Sequence, residues 1–116
     1  MTEKLHLLFI CGKNQWRSPT AARIYANDPR IQVRSAGVSL KSVRSVTLKD
    51  IEWADLILVM EKKHRSRLQE LFPEGEFPVI KSLEIPDDYP FMDPELIELL
   101  REGVESILKE EGHGED

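Results

Sequence analysis

A single cysteine, Cys11, is the sharpest scarcity in this 116-residue sequence. One thiol excludes an internal disulfide framework and leaves no cysteine cluster for a structural zinc site. No apolar run is long enough for a membrane span, and the N-terminus lacks the basic-then-apolar pattern of a signal peptide. A soluble, cytoplasmic protein with no membrane partner is therefore expected. Positive charge is also in deficit. The chain has 16 Lys and Arg against 21 Asp and Glu, a net charge of −5. That balance argues against a nucleic-acid partner, because a protein that tracks a phosphate backbone normally carries a basic surplus. The length suits one domain, residues 1–116, with a modest core.

What is present centres on Cys11-Gly12-Lys13-Asn14-Gln15-Trp16-Arg17-Ser18-Pro19. Before it, Leu5 to Ile10 is too continuously apolar for a half-exposed strand and suits the centre of a parallel sheet. After it, Pro19 to Tyr25 reads as a helix. A loop between a strand end and a helix start offers unpaired backbone N–H groups on one concave side, and the helix dipole adds positive potential there. Such a loop can cradle a tetrahedral anion on the amides of Gly12, Lys13, Asn14, Gln15, Trp16 and Arg17. Asn14 adopts left-handed backbone angles more readily than most residues, which helps successive N–H groups turn inward. A thiol in this positive field is expected to ionise more readily than a free one, and Arg17 can hold two oxygens of a phosphate at once. Ser18 is placed to hydrogen-bond the sulfur, to cap the helix, or to do both. Thiolate, amide cradle and guanidinium are the parts needed to attack phosphorus. The competing reading is a structural cysteine in a tight turn with Arg17 in solvent.

The rest of the chain alternates strands with helices. Ile31 to Ser35 alternates in polarity and runs into Ala36-Gly37 as a second strand. Val38 to Val46 is a basic connection in which Lys41 and Arg44 either form a solvated face or draw an anion inward. Thr47-x-x-Asp50 reads as a cap for a short helix through Trp53. Asp55 to Glu61 is a third strand, and Lys62 to Leu71 a basic surface helix in which His64 is expected to be solvated. Phe77 to Ile85 is a weaker fourth strand, which Pro78 places at an edge. An acidic, aromatic loop, Pro86 to Met92, leads to Asp93-Pro94, an N-cap and first-turn pair for the last helix. That helix carries an apolar stripe of Leu96, Ile97, Leu100, Val104, Ile107 and Leu108. Glu111 to Asp116 is expected to fray. Strands separated by crossovers predict an α/β fold, a four-stranded parallel sheet with helices on both faces.

The segment Leu8-Phe9-Ile10-Cys11 through Asn14, with Arg17-Ser18-Pro19, resembles the phosphate loop of the low-molecular-weight protein tyrosine phosphatases. Ser35-Ala36-Gly37 and the third strand, Asp-x-Ile-x-x-Met followed by an acid, are similar to that family as well. The resemblance implies strand order 2-1-3-4, a phosphotyrosine phosphatase I-like fold, and supporting roles for Asn14, Ser18 and Ser35. It places Asp87 in register with the family's general acid, with Asp88 one residue away and still open, and Tyr89 with an aromatic pocket wall beside Trp16 and Phe91. The implied activity is a cysteine-dependent phosphomonoester hydrolase, a protein tyrosine phosphatase working through phosphocysteine. Its substrate would be a phosphotyrosine protein or a small aryl phosphate. No metal or cofactor is implied, since Arg17 and the amides supply the positive charge. Three positions depart from the family: Lys13 replaces a glycine, Trp16 a second cysteine, and Lys41 a histidine of the loop-supporting network. Without a second thiol, an oxidised Cys11 has no internal disulfide partner. Two alternatives stand: an arsenate reductase using an external thiol, and a non-catalytic module that binds phosphate or a phosphoprotein.

Overall fold

A computed structural model describes residues 4–112; residues 1–3 and 113–116 lie outside the described residues, and with them most of the segment expected to fray. The order of elements is β1 (Leu5–Cys11), α1 (Arg17–Ile24), β2 (Ile31–Gly37), α2 (Leu48–Trp53), β3 (Leu56–Val59), α3 (Lys62–Leu71), β4 (Val79–Ser82) and α4 (Pro94–Glu110). The strands form one sheet in the order β2-β1-β3-β4. Every pairing is parallel, as a chain with a crossover after each strand requires.

The apolar run of β1 is explained by burial on both sides. Leu7, Phe9 and Cys11 face a core shared with Ala21 and Tyr25 of α1 and with Leu96, Leu100, Val104 and Leu108 of α4. Leu8 and Ile10 face the opposite core, with Ile51 of α2 and Leu68 of α3. The alternation of side chains along a strand therefore sends Cys11 toward the α1/α4 face. In α4, Ile97 is only half buried and Leu99 packs against the core beside the expected stripe.

Several expected boundaries shift, among them the third strand, read from Asp55 to Glu61 but laddered only over Leu56–Val59. Strand β4 is shorter than its sequence run because Phe77 and Pro78 precede the ladder, while Leu83 and Ile85 donate instead to the Val59 and Met60 carbonyls beyond β3, both at 2.8 Å. Helix α1 begins at Arg17 rather than Pro19. Pro19 still fits, since an N–H in the first helical turn has no intrahelical acceptor to lose.

Asp50, at the start of α2, ties the sheet to the connection before it. Its side chain is buried, accepts the Thr47 backbone N–H at 2.9 Å in a capping box, and pairs with Arg34 at 3.2 Å and with Arg44. Burial alone would raise its carboxyl, but the hydrogen bonds from Arg44 and Thr47 outweigh it and hold Asp50 below its ordinary 3.8. A depressed folded-state value stabilises the fold above the unfolded value and loses that effect as pH falls. Asp50→Asn is therefore expected to cost about 1–2 kcal/mol at neutral pH. In thermal melts the gap between variant and wild type should close as pH drops below 3.8; a gap independent of pH would show that the Asp50 charge contributes nothing.

Candidate active site

Beyond β1 the chain turns through residues 12–16 into α1, and its carbonyls point outward. The Cys11 carbonyl accepts from Val38 N at 3.1 Å, that of Gly12 from Ser39 N at 2.9 Å, and that of Lys13 from Val43 N at 3.0 Å. In a trans peptide the following N–H points the opposite way. The N–H groups of Gly12, Lys13 and Asn14 are thereby turned to the concave side, and Asn14 N reaches Cys11 Sγ at 3.2 Å. Asn14 makes this turn with φ of 54°, in the left-handed region that asparagine tolerates. Among the described residues, the N–H groups of Gly12, Lys13, Gln15, Trp16 and Arg17 find no protein acceptor. Trp16 occupies the N-cap of α1 without a side-chain capping bond, and no acidic residue lies in the first turn, so the positive helix end stays uncompensated. Ser18 sits inside the helix and caps nothing. Its hydroxyl lies 2.9 Å from the sulfur.

A chain of hydrogen bonds supports the loop from behind. Asn14 Nδ2 donates to Ser18 Oγ at 2.9 Å and to Ser35 Oγ at 3.0 Å. Arg44 donates to the Ser35 carbonyl at 2.9 Å and is held in turn by Asp50. Arg44 thus acts as a brace although its side chain is 44% exposed, and Lys41 is exposed as well. Gly37 closes the junction: a Cβ there would lie 2.1 Å from Ser42 Oγ and 2.8 Å from the Gly12 carbonyl. Only glycine lets the end of β2, the loop and the 38–43 connection approach this closely.

Arg17 is buried, with 4% of its side chain exposed, not turned to solvent. Its Nη1 donates to Glu61 Oε2 and to the Ile85 carbonyl, each at 2.7 Å. Nε lies 3.6 Å from Asp87 Oδ1. Anchoring through one nitrogen leaves Nε and Nη2 for a ligand. Burial alone would raise Glu61, but the hydrogen bond and charge of Arg17 prevail and hold it below its ordinary 4.5.

The loop opens into a cavity of about 330 Å³ lined by Cys11, Gly12, Lys13, Gln15, Trp16 and Arg17 of the loop and by Ser39, Lys63, His64 and Asp87 from elsewhere in the chain. The segment carrying Asp87 is pinned at both ends, by Ile85 N on the Met60 carbonyl at 2.8 Å and by Met92 N on Thr20 Oγ1 at 2.9 Å. Asp88 does not line the cavity. Neither does Tyr89, contrary to the expected pocket wall: its ring packs against the α1/α4 core. Phe91, with Trp16 and Val43, lines a shallower neighbouring depression. Asp93 spends its carboxylate on Glu95 N and Leu96 N.

The chain is 32% identical over 114 residues to Wzb, a low molecular weight protein-tyrosine-phosphatase of Escherichia coli, in an alignment covering 72% of this chain and 78% of Wzb. It belongs to the low molecular weight protein tyrosine phosphatase family. A protein-arginine-phosphatase of Geobacillus stearothermophilus is 35% identical over 94 residues, covering 60% of this chain; the chain spans 64% of that relative's length. No family model matches the chain. The same fold is seen in a low molecular weight protein tyrosine phosphatase of Streptococcus pyogenes, with TM-score 0.75 at 19% identity over 91% of this chain and 92% of that one. It is seen again in Vibrio vulnificus Wzb in complex with benzylphosphonate, with TM-score 0.74 at 23% identity over 93% and 99%.

His64 is the residue that sequence reasoning misplaced. Its Lys- and Arg-rich surroundings suggest solvent, yet it is 2% exposed. It stands at the third position of α3, where its Nδ1 accepts the Glu61 N–H at 3.1 Å in a reciprocal cap. The legible signal was Glu-x-x-His at a strand end, a capping spacing occupied by an unusual residue type.

Proposed function

We propose that this chain is a single-domain, cysteine-dependent phosphomonoester hydrolase acting on phosphotyrosine proteins or small aryl phosphates in the cytoplasm. One observation carries the reading: Cys11 Sγ, within hydrogen-bonding distance of Ser18 Oγ and Asn14 N, opens on the same cavity as Arg17 and Asp87. The Cys11 thiolate attacks phosphorus, and an S–P bond forms as the bond to the leaving oxygen breaks. The Asp87 carboxyl gives that oxygen its proton, while the loop amides with Arg17 Nε and Nη2 hold the equatorial oxygens. Water then attacks phosphocysteine, Asp87 takes the water's proton, and the S–P bond breaks to return thiolate and inorganic phosphate. Trp16, 43% exposed at the mouth, offers a flat face to an aryl leaving group. Lys13 and Lys63 add positive potential toward a dianionic substrate.

Asp87 is the favoured acid because it reaches the cavity and Asp88 does not. Steady-state hydrolysis of aryl phosphates tests this. Asp87→Asn is expected to lower kcat by about 10²-fold, more for phosphotyrosine than for an ester with an acidic phenol, because a good leaving group needs less protonation. Asp88→Asn should stay within about threefold of wild type. Equal losses in the two variants, or no dependence on the leaving group, would remove Asp87 from the role.

A further inference from the structure

His64 lines the cavity, yet nothing in the chemistry above uses it. Its ring is buried, and its Nε2 is a buried side-chain atom with no hydrogen-bond partner. Buried polar atoms in native structures are nearly always paired, so an orphan beside a binding cavity calls for a ligand. The carboxylate beside it, Glu61 Oε2, is 3.8 Å away and already accepts from Arg17. That is beyond a hydrogen bond.

The state of the ring follows from its other nitrogen. Nδ1 accepts the Glu61 N–H, so it carries no proton, and in a neutral imidazole the proton then sits on Nε2. An imidazolium would set an Nδ1–H against the Glu61 N–H and break the cap. Burial first, and then the Arg17 charge, push His64 down to about 4, which keeps the ring neutral near pH 7. His64 is thus a neutral N–H donor of fixed tautomer, held rigidly on the first turn of α3. The ring faces the loop closely: a Cβ at Gly12 would stand 3.9 Å from Nε2, in ordinary contact with it.

We propose that His64 Nε2–H donates a hydrogen bond to an oxygen of the phosphoryl group bound in the cavity, making His64 a substrate-binding residue alongside Arg17 and the loop amides. The proposal rests on the reading of the cavity as a phosphoryl site. It adds a neutral donor on the α3 side of the anion, opposite the α1 helix end. No charge is brought in with it, so Arg17 remains balanced by Glu61.

The test is a titration of the full chain, labelled with nitrogen-15, with inorganic phosphate, followed by NMR. Imidazole spectra near neutral pH should show His64 as the Nε2–H tautomer. Its Nε2 and attached proton should shift with the same dissociation constant as the amides of residues 12–17. Loop amides that shift while the His64 Nε2–H stays put would overturn the His64 contact and leave the phosphoryl site standing. No shift in either would overturn both. Two variants separate binding from helix capping. In His64→Asn the side-chain oxygen can replace Nδ1 as cap acceptor but nothing replaces Nε2, so phosphate affinity should fall about tenfold with little change in Tm. In His64→Gln the amide nitrogen can reach the position of Nε2, so affinity should be kept within about threefold although the cap is lost. Affinities that follow Tm across the two variants would show His64 to be structural only.

Discussion

Substituting Cys11 with serine is expected to lower aryl phosphate hydrolysis by about 10⁴-fold or more while phosphate binding and Tm change little. Serine fills nearly the same volume in the same floor of the cavity, and Ser18 Oγ and Asn14 N can still donate to its oxygen. What disappears is the sulfur anion that attacks phosphorus and leaves again in the second step. Neither neighbour activates a serine hydroxyl in the first step: Asp87 enters it as the acid in the proposed mechanism, and the nearby imidazole has its acceptor nitrogen committed to the Glu61 N–H. The sequence has no second cysteine to take over the role. The comparison needs two measurements on one preparation: turnover of an aryl phosphate, and phosphate binding by titration. Retained turnover would end the thiolate mechanism. Lost turnover together with lost phosphate binding would show that Cys11 was holding the loop together rather than reacting. If the wild type binds phosphate without turning over an ester, the chain is a binding module.

The fold was legible because each strand of the sheet is recorded locally. Leu7 to Ile10 has no polar interruption, which only a strand covered on both faces tolerates, and β1 lies between β2 and β3 with a core on either side. The loop was legible for a related reason: Cys11, Asn14, Arg17 and Ser18 lie close in sequence, and one turn brings them around a single point. What holds that turn in shape was less visible. The carbonyls of residues 11–13 are bound by a connection whose composition says only that it is polar, and its grip depends on Gly37 allowing the approach. The partner of Arg44, Asp50, was read only as a helix cap, and capping uses one of the two carboxylate oxygens. Contacts of this kind are set by the packing of three distant segments, and no window of sequence contains all of them. His64 was misjudged for the same reason. Composition within α3 suggested solvent, whereas the face on which His64 falls is fixed by the end of β3 and by the loop after β1.

Replacing Arg17 with lysine is expected to lower kcat/KM by about 10³-fold, a far larger effect than conservation of charge suggests. The guanidinium has two tasks and divides its nitrogens between them. Nη1 is fixed by Glu61 and the Ile85 carbonyl, which sets the plane of the group, and in the proposed mechanism this leaves Nε and Nη2 for the phosphoryl oxygens. An ammonium has one nitrogen for both tasks. Drawn to Glu61, it leaves the phosphoryl oxygens without their paired donors; drawn to the phosphoryl group, it leaves Glu61 partly buried and without its partner. Either choice loses most where charge spreads over the equatorial oxygens, so kcat should fall more steeply than KM rises. A loss confined to KM would mean that Arg17 binds substrate and transition state equally. The ion pair supplies a second readout. Glu61 sits below its ordinary 4.5 mainly because the hydrogen bond and charge of Arg17 outweigh the opposing effect of burial. That pairing stabilises the fold above 4.5 and fades as pH falls through the depressed folded-state value. The lysine variant should therefore melt below wild type near neutral pH and approach it in acid. A variant that keeps both its catalytic rate and its acid sensitivity would show that the guanidinium geometry is not what the site uses.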